Sequence, residues 1–358
     1  MGDISQQLTE QVKQAAETGT ALAITGGASK SFLGRGLWGQ PLSLAEHTGI
    51  VSYEPVELVM TARAGTRLAD IDAVLAENNQ RLAFEPPRFG DTDTIGGTLA
   101  ANLSGPGRPW QGSVRDLVLG LRLINGRGEH LKFGGQVMKN VAGYDASRLQ
   151  AGALGTLGVI TEVSLKVLPL PAMEQTLVQP MAQQQAIATM NQLAGQPKPL
   201  SAACWYDGHL YLRLSGAAAA VEATAKRWMA DSGGEMKVRE DGEAFWRDLR
   251  DQRLPFFSGS EPLWRFSVNP TAAMEELGNQ ALIDWGGAQR WSRQDDSLSV
   301  MAERAARAGG QVSLFCHGDR SGEVMHPQPS PLRAIQQRLK AAFDPNGIFN
   351  PGHLYSWL

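Results

Sequence analysis

DTDTIGGTLAANLSGPGRPWQGSVRD (Asp91 to Asp116) and KNVAGYDASRLQAGALGTLGVITE (Lys139 to Glu162) open and close the stretch around which the chain is organised. Its glycines come paired or nearly so: Gly96 with Gly97, Gly105 with Gly107, Gly155 with Gly158. Without a Cβ, such turns let backbone N–H groups come close to a ligand. Polar glycine turns set between apolar strands suit a large, flat, phosphate-bearing cofactor. Thr94, Gly96 and Gly97 are predicted to form a tight turn whose N–H groups serve an anionic or carbonyl edge, with a helix starting behind it over Thr98 to Leu103.

Outward from that stretch, the pattern is a mixture of strands and helices. LVLGLRLIN runs into Asn125-Gly126-Arg127-Gly128, a strong hairpin signal, and then into HLKFGG. Gly143-Tyr144-Asp145 leads a helix containing Leu149, and the run from Val159 alternates as a long strand. Pro169 and Pro171 place a domain boundary near residue 172. Upstream, Leu8, Val12, Ala15 and Ala16 give Ile4 to Thr18 helical spacing, and the strand Ala21 to Ile24 enters the turn GGASKS. From Ile50 come the strands IVSYEP and LVMTARAG, a helix over Arg67 to Asn78 and a further strand RLAFEPP.

Two familiar phosphate motifs fail on inspection. Ser29 stands where a Walker loop needs Gly before Lys30. Gly34, Gly36 and Gly39 spell GxGxxG, but Gln40 and Pro41 follow where a helix should begin, so this is no Rossmann site.

Beyond residue 172 paired glycines thin out, and Gln, Ala and Trp increase. Strand, helix, strand, strand, helix (Thr176 to Ala230) is followed by a second series of similar order, LWRFSV to QVSLF. Each series contains a hairpin, which predicts an antiparallel sheet backed by helices. The tail carries an amphipathic helix stopped by Asp344-Pro345. The tryptophans of this half are predicted as core.

Composition narrows the function classes. At 358 residues with 42% hydrophobic and 19% charged residues, two globular domains are expected. A net charge of −3 leaves no basic footprint for nucleic acid. No apolar run reaches membrane-spanning length, and the polar N-terminus is unlike a secretion signal, so a cytoplasmic location is expected. Cys204 and Cys316 are the sole cysteines, too few for a disulfide framework or a four-thiolate iron–sulfur cluster. Cys316, His317 and Asp319 are weighed as metal ligands and set aside, because neighbouring strand positions point to opposite faces.

The TIGG turn, the GYD step and the closing GTLGVITE resemble the flavoproteins of the vanillyl-alcohol oxidase type, with their PCMH-type FAD-binding domain. Within that family the likeness, from ITGGASKSFLG to FDPNGIFNPG, is to FAD-binding subunits of the bacterial glycolate oxidase type. The resemblance implies an α+β chain: a PCMH-type FAD-binding domain over 1–172, an antiparallel-sheet cap over 173–330, and a tail over 331–358 returning to the flavin domain. It implies FAD as cofactor, with Gly26, Gly27, Ala28, Ser29 and Lys30 around the pyrophosphate. Thr94, Gly96, Gly97, Ser113, Gly158 and Ile160 are the first further contacts; Ser104, Asp116, Gly143 and Tyr144 follow, and Asn350 lies near the ring. No His or Cys falls between Gly90 and Gly128, so the FAD is expected to be non-covalent.

The same resemblance implies two partner chains, a larger FAD-containing subunit and an iron–sulfur subunit, through which peripheral membrane association could arise. The activity it implies is oxidation of a small 2-hydroxy acid, glycolate to glyoxylate. A free-standing flavin oxidoreductase and a flavin-bearing scaffold are the alternatives. The residues themselves identify no catalytic group.

Overall fold

The computed structural model describes residues 2–135, 145–273 and 281–358. The chain divides into two compact units, one made of Met1–Leu103, Ser113–Pro169 and Asp319–Leu358, the other of Ser104–Gly112 and Leu170–Gly318. The first unit is therefore discontinuous. The short segment Ser104–Gly112 groups with the second unit, a departure from an unbroken 1–172 domain.

At the centre of the first unit is a five-stranded antiparallel sheet in the order Ile50–Glu54, Val59–Arg63, Val159–Lys166, Val118–Ile124, His130–Gly134. The Val118–Ile124 and His130–Gly134 strands pair Ile124 with His130, and Asn125 organises the turn: its Oδ1 accepts from the backbone N–H groups of Arg127 and Glu129, both at 3.0 Å. Val159–Lys166 is the middle strand. With cover on both faces, only Glu162 and Lys166 in it are part-exposed, so the alternation expected from the sequence collapses into near-complete burial.

Helix Ser5–Thr18 buries Leu8, Val12 and Ala15 and stops at Gly19, whose φ of 66° is left-handed. Leu68–Ala76 buries Leu68, Ile71 and Leu75 in the same core, together with Ile348 and Phe349 of the tail. The expected strand RLAFEPP shrinks to Gln80–Arg81, paired with Leu168–Pro169, because the chain turns directly after it, with Glu85 N donating to Leu82 O at 3.1 Å and Glu85 at φ 50°. The helix expected behind the TIGG turn starts earlier, at Ile95, and ends at Ala101. Around Leu149 a single 3-10 turn, Arg148–Gln150, stands in place of a helix.

The second unit holds an eight-stranded antiparallel sheet. From one edge it runs Lys237–Arg239, Met173–Pro180, His209–Gly216, Leu200–Tyr206, then Leu282–Asp284, Gln289–Arg293, Leu263–Ser267 and Gln311–Cys316. The two halves use the same chain order read from opposite edges and meet where Trp205 pairs with Ile283. The repeat seen in the sequence is thus a structural repeat, with Ala218–Asp231 and Leu298–Arg307 as matching helices. In the second series, the short helix that the element order predicts over Thr271 to Leu277 is not seen at Thr271 to Ala273, and the remainder lies outside the described residues. No described helix is long and apolar enough to cross a membrane.

Candidate functional site

The strand Leu22–Thr25, parallel to Gln40–Ser43, delivers the chain into Gly26 and Gly27. This loop lies against Thr92–Thr94. A Cβ on Gly26 would stand 2.5 Å from Thr94 Oγ1, and one on Gly27 would collide with the Thr92 carbonyl oxygen. Thr92 Oγ1 also donates to the Gly27 carbonyl at 2.7 Å. The two glycines are therefore needed first for chain-on-chain packing. Beyond them Ala28 adopts φ 55°, in the left-handed region.

Among the described residues, no acceptor takes the backbone N–H groups of Gly26, Gly27, Ala28, Ser29 or Lys30. Successive unpaired amides with a left-handed residue among them form an anion-binding concavity. They open on a cleft of about 840 Å³, mouth included, in the first unit. Its apolar walls come from Ile24, Leu37, Leu44, Leu154 and Ile160.

The paired glycines of the TIGG turn behave differently from the sequence expectation. Gly96 N–H donates to Ala64 O at 2.9 Å, and Gly97 N–H to Thr94 Oγ1 at 3.2 Å, where Thr94 caps helix Ile95–Ala101. Both amides serve the fold. A Cβ on Gly96 would lie 2.6 Å from Ala64 Cβ, so the glycine allows the helix to approach the sheet. Gly158 likewise admits Leu123, whose Cδ1 would be 2.5 Å from an added Cβ.

The expected Lys30 contact is through its backbone N–H, and its side-chain ammonium is taken up elsewhere, pairing with Oδ1 of the buried Asp93. Ser29 Oγ donates to the same Oδ1 at 2.5 Å, and Asp93 Oδ2 accepts from Phe89 N at 2.7 Å and Gly90 N at 3.1 Å. Burial raises the Asp93 pKa, but hydrogen bonds from Lys30 and Ser29 outweigh it and hold the carboxyl below its usual range. Burial likewise pulls Lys30 down against the Asp93 contact. The pair braces the loop and leaves the anion site to main-chain amides.

Asn350, which also lines the cleft and has φ 40°, uses both ends of its side chain. Oδ1 accepts from Ile24 N and Nδ2 donates to Leu154 O, each at 2.7 Å. The tail holding Asn350 is locked by Lys340. Its buried ammonium donates at 2.7 Å to Asp344 Oδ2, Thr156 O and Phe349 O, while Asp344 accepts from Ile348 N and Phe349 N.

Of the residues singled out from the sequence, Gly26, Gly27, Ala28, Ser29, Lys30, Thr94, Gly96, Gly97, Gly158, Ile160 and Asn350 line this one cleft. Three others do not. Ser113 and Asp116 form a capping box on the turn Val114–Leu117, with Ser113 N donating to Asp116 Oδ2 at 2.9 Å, and Ser104 is buried in the second unit. Gly143 and Tyr144 lie outside the described residues. Asp319 gives both carboxylate oxygens to Ser321, and no described group of three His, Cys, Asp or Glu has the arrangement of a metal site.

Sequence reasoning missed His353, which lines the cleft and contacts Arg35 O through Nδ1 at 2.7 Å. A ring nitrogen facing a carbonyl carries the proton, so the neutral ring keeps its lone pair on Nε2. Burial lowers its pKa and favours that neutral form. The NPGH sequence next to Asn350 carried the signal.

Residues 4–134 match the model of a FAD binding domain family. Over 356 residues the chain is 46% identical to the glycolate oxidase subunit GlcE of Escherichia coli (strain K12), covering 99% of both chains. It is 35% identical over 130 residues to the glycolate oxidase subunit GlcD of Bacillus subtilis (strain 168), a match spanning 36% of this chain and 27% of that one. Among solved structures, an alkyldihydroxyacetonephosphate synthase superposes with a TM-score of 0.66 at 15% identity, over 97% of this chain and 74% of the other, and so shares the fold. The free amides, the glycine-built cleft and the end-to-end identity agree: this chain belongs to the family of the glycolate oxidase subunit GlcE, built on an FAD-binding domain.

Proposed function

We propose that this chain is a non-covalent FAD-binding subunit of a glycolate oxidase complex, taking part in the oxidation of glycolate to glyoxylate and passing electrons to an iron–sulfur partner. A larger FAD-containing subunit related to this one completes the assembly at the cytoplasmic face of the membrane. The observation that carries the reading is the row of acceptor-free amides from Gly26 to Lys30 opening on the glycine-built cleft. A diphosphate fits there for a physical reason: amide dipoles meet its charge with no need to desolvate a side-chain cation. The Lys30 ammonium is already paired with Asp93, so the amides are left to meet the charge.

When bound, the flavin would supply the two-electron redox chemistry. The protein's own part is to hold and to exclude. Ile24, Leu37, Leu44, Leu154 and Ile160 would keep water from the cofactor, while Asn350 fixes the Leu154 wall. Among the described residues lining the cleft, Lys30 and His353 are the only titratable ones, and Lys30 is engaged. The cleft thus supports cofactor binding more fully than substrate turnover by this chain alone, which favours the subunit reading over a free-standing enzyme.

Anaerobic glycolate addition tests the assignment. Bleaching of the flavin only when the partner chains are present is the expected result. Bleaching in the isolated chain would establish a free-standing enzyme, and a flavin that never bleaches even in the complex would establish a scaffold.

A further inference from the structure

In the second unit, two guanidinium groups converge on one indole. Arg108 lies with its guanidinium carbon 4.5 Å from the Trp285 ring centre, and Arg265 lies 5.2 Å from the same centre and 5.9 Å from that of Trp291. Trp285 is rigidly held. Its Nε1–H donates to Gly105 O at 2.9 Å and its backbone N–H to Asp284 Oδ1 at 2.7 Å, and its φ of 55° is a conformation bulky residues seldom adopt. Strain of this kind gathers at functional positions.

The ladder register explains the grouping. Arg265 pairs with Trp291, and Gln289 pairs with Asp284, so Arg265, Trp291, Gln289 and Asp284 share one face of the sheet. Arg265 uses Nε to donate to Gln289 Oε1 at 2.7 Å. Among the described residues, neither its terminal nitrogens nor any guanidinium nitrogen of Arg108 meets a carboxylate or another acceptor. Burial, and the like charge of Arg108 next to it, push the Arg265 pKa down to about 10, with Asp284 acting the other way.

Two stacked cations with only the Asp284 carboxylate acting against them are costly to fold, and an anion that binds to both reduces that cost. Two guanidinium groups and the Asp284 carboxylate leave one net positive charge, which matches a monoanion better than a phosphate dianion. Guanidinium forks stacked on aromatic rings bind the planar carboxylate through paired N–H donors.

We propose that Arg108, Arg265 and Trp285 form a binding site for a small carboxylate monoanion, with Asp284 and Gln289 setting the charge and orientation of Arg265. The choice of a 2-hydroxy-acid carboxylate rests on the proposed function; the anion site itself rests on the second unit alone.

The test is calorimetric titration of the full FAD-loaded chain with sodium glycolate at low ionic strength, with sodium sulfate and sodium phosphate as competitors. Flavin absorbance and far-UV circular dichroism are recorded on the same samples. Saturable one-to-one binding is expected, weakened about 10-fold or more by Arg265→Gln and by Arg108→Gln. Arg265→Lys keeps the charge, loses the fork and should fall between, which keeps the test decisive if a glutamine variant misfolds. Arg333→Gln, an exposed arginine of the first unit, should change nothing. Absence of binding by the wild type, equal binding by the folded variants, or sulfate and phosphate binding as tightly as glycolate would each overturn the proposal. Colourless protein that still binds glycolate in an Arg265-dependent way would refute the FAD reading and leave this one standing.

Discussion

As the two anion sites we propose, the cleft of the first unit and the arginine–tryptophan cluster of the second would meet charge in opposite ways. In the cleft, charge is met by main-chain dipoles at Gly26 to Lys30, and the nearest cation, Lys30, is taken up by Asp93. In the cluster, charge is met by side chains, and the cations Arg108 and Arg265 stack on Trp285. A backbone site depends on where the chain runs, so it is sensitive to glycine substitution and indifferent to most polar changes. A side-chain site has the reverse sensitivity.

Breaking the backbone site should give the largest effect. In Gly27→Ala the new methyl collides with the Thr92 carbonyl, a backbone atom that cannot swing aside. Overpacking of this severity costs about 3 kcal/mol or more, so FAD affinity measured by flavin fluorescence should fall more than about 100-fold. Gly36→Ala, where an added Cβ meets nothing within 4 Å, is the matched control and should bind FAD normally.

Next comes the lock behind the wall. Lys340→Met removes the donor to Asp344, Thr156 and Phe349 and strands a buried carboxylate. Leaving one partner of a buried ion pair costs about 3–5 kcal/mol, to be read as a lowered midpoint in urea unfolding with an unchanged slope. Asn350 then loses its anchorage, and FAD affinity should fall with stability.

Asp93 offers a sharper cut between loop geometry and charge. Its folded-state pKa is depressed, so the stability it contributes is fully present above its unfolded value, about pH 4, and is lost as pH falls through the folded value. FAD retention should therefore be flat from about pH 7 to 5 and collapse below about 4. Asp93→Asn should weaken FAD binding about 10-fold at neutral pH, near 1.4 kcal/mol, by releasing the Lys30 and Ser29 braces. An unchanged affinity would mean that the braces do not shape the amide row.

Thr94→Ala should have the smallest effect. It removes the side-chain cap of helix Ile95–Ala101, a loss of about 1 kcal/mol, and with it the contact that seats Gly26. A drop of about five-fold in FAD affinity is expected at neutral pH.

How much of this was legible depended on how local the cause was. The Asn125-Gly126 hairpin and the Asp344-Pro345 helix stop follow from turn chemistry within a few residues, and both are where the sequence puts them. The repeat in the second unit was legible from element order alone. By contrast, the packing partners that require glycine at Gly26, Gly27, Gly96 and Gly158 lie on distant segments, out of reach of any local window. Ser113 and Asp116 fit a local capping pattern, S-x-x-D, and were read as contacts because the family context drew attention there. Arg108 and Arg265 come together only through tertiary folding, and no window of sequence contains both.

The central claim is that FAD is held through its phosphates by main-chain amides of the glycine loop. Parallel fluorescence titrations of the flavin-free chain with FAD and with riboflavin, which shares the ring but has no phosphate, test it most directly. The account predicts FAD binding at about 1 µM or tighter, released intact on acid denaturation, and riboflavin binding at least about 100-fold weaker, a difference near 2.7 kcal/mol. Equal affinity for the two flavins, or no uptake of FAD by folded protein, would contradict it.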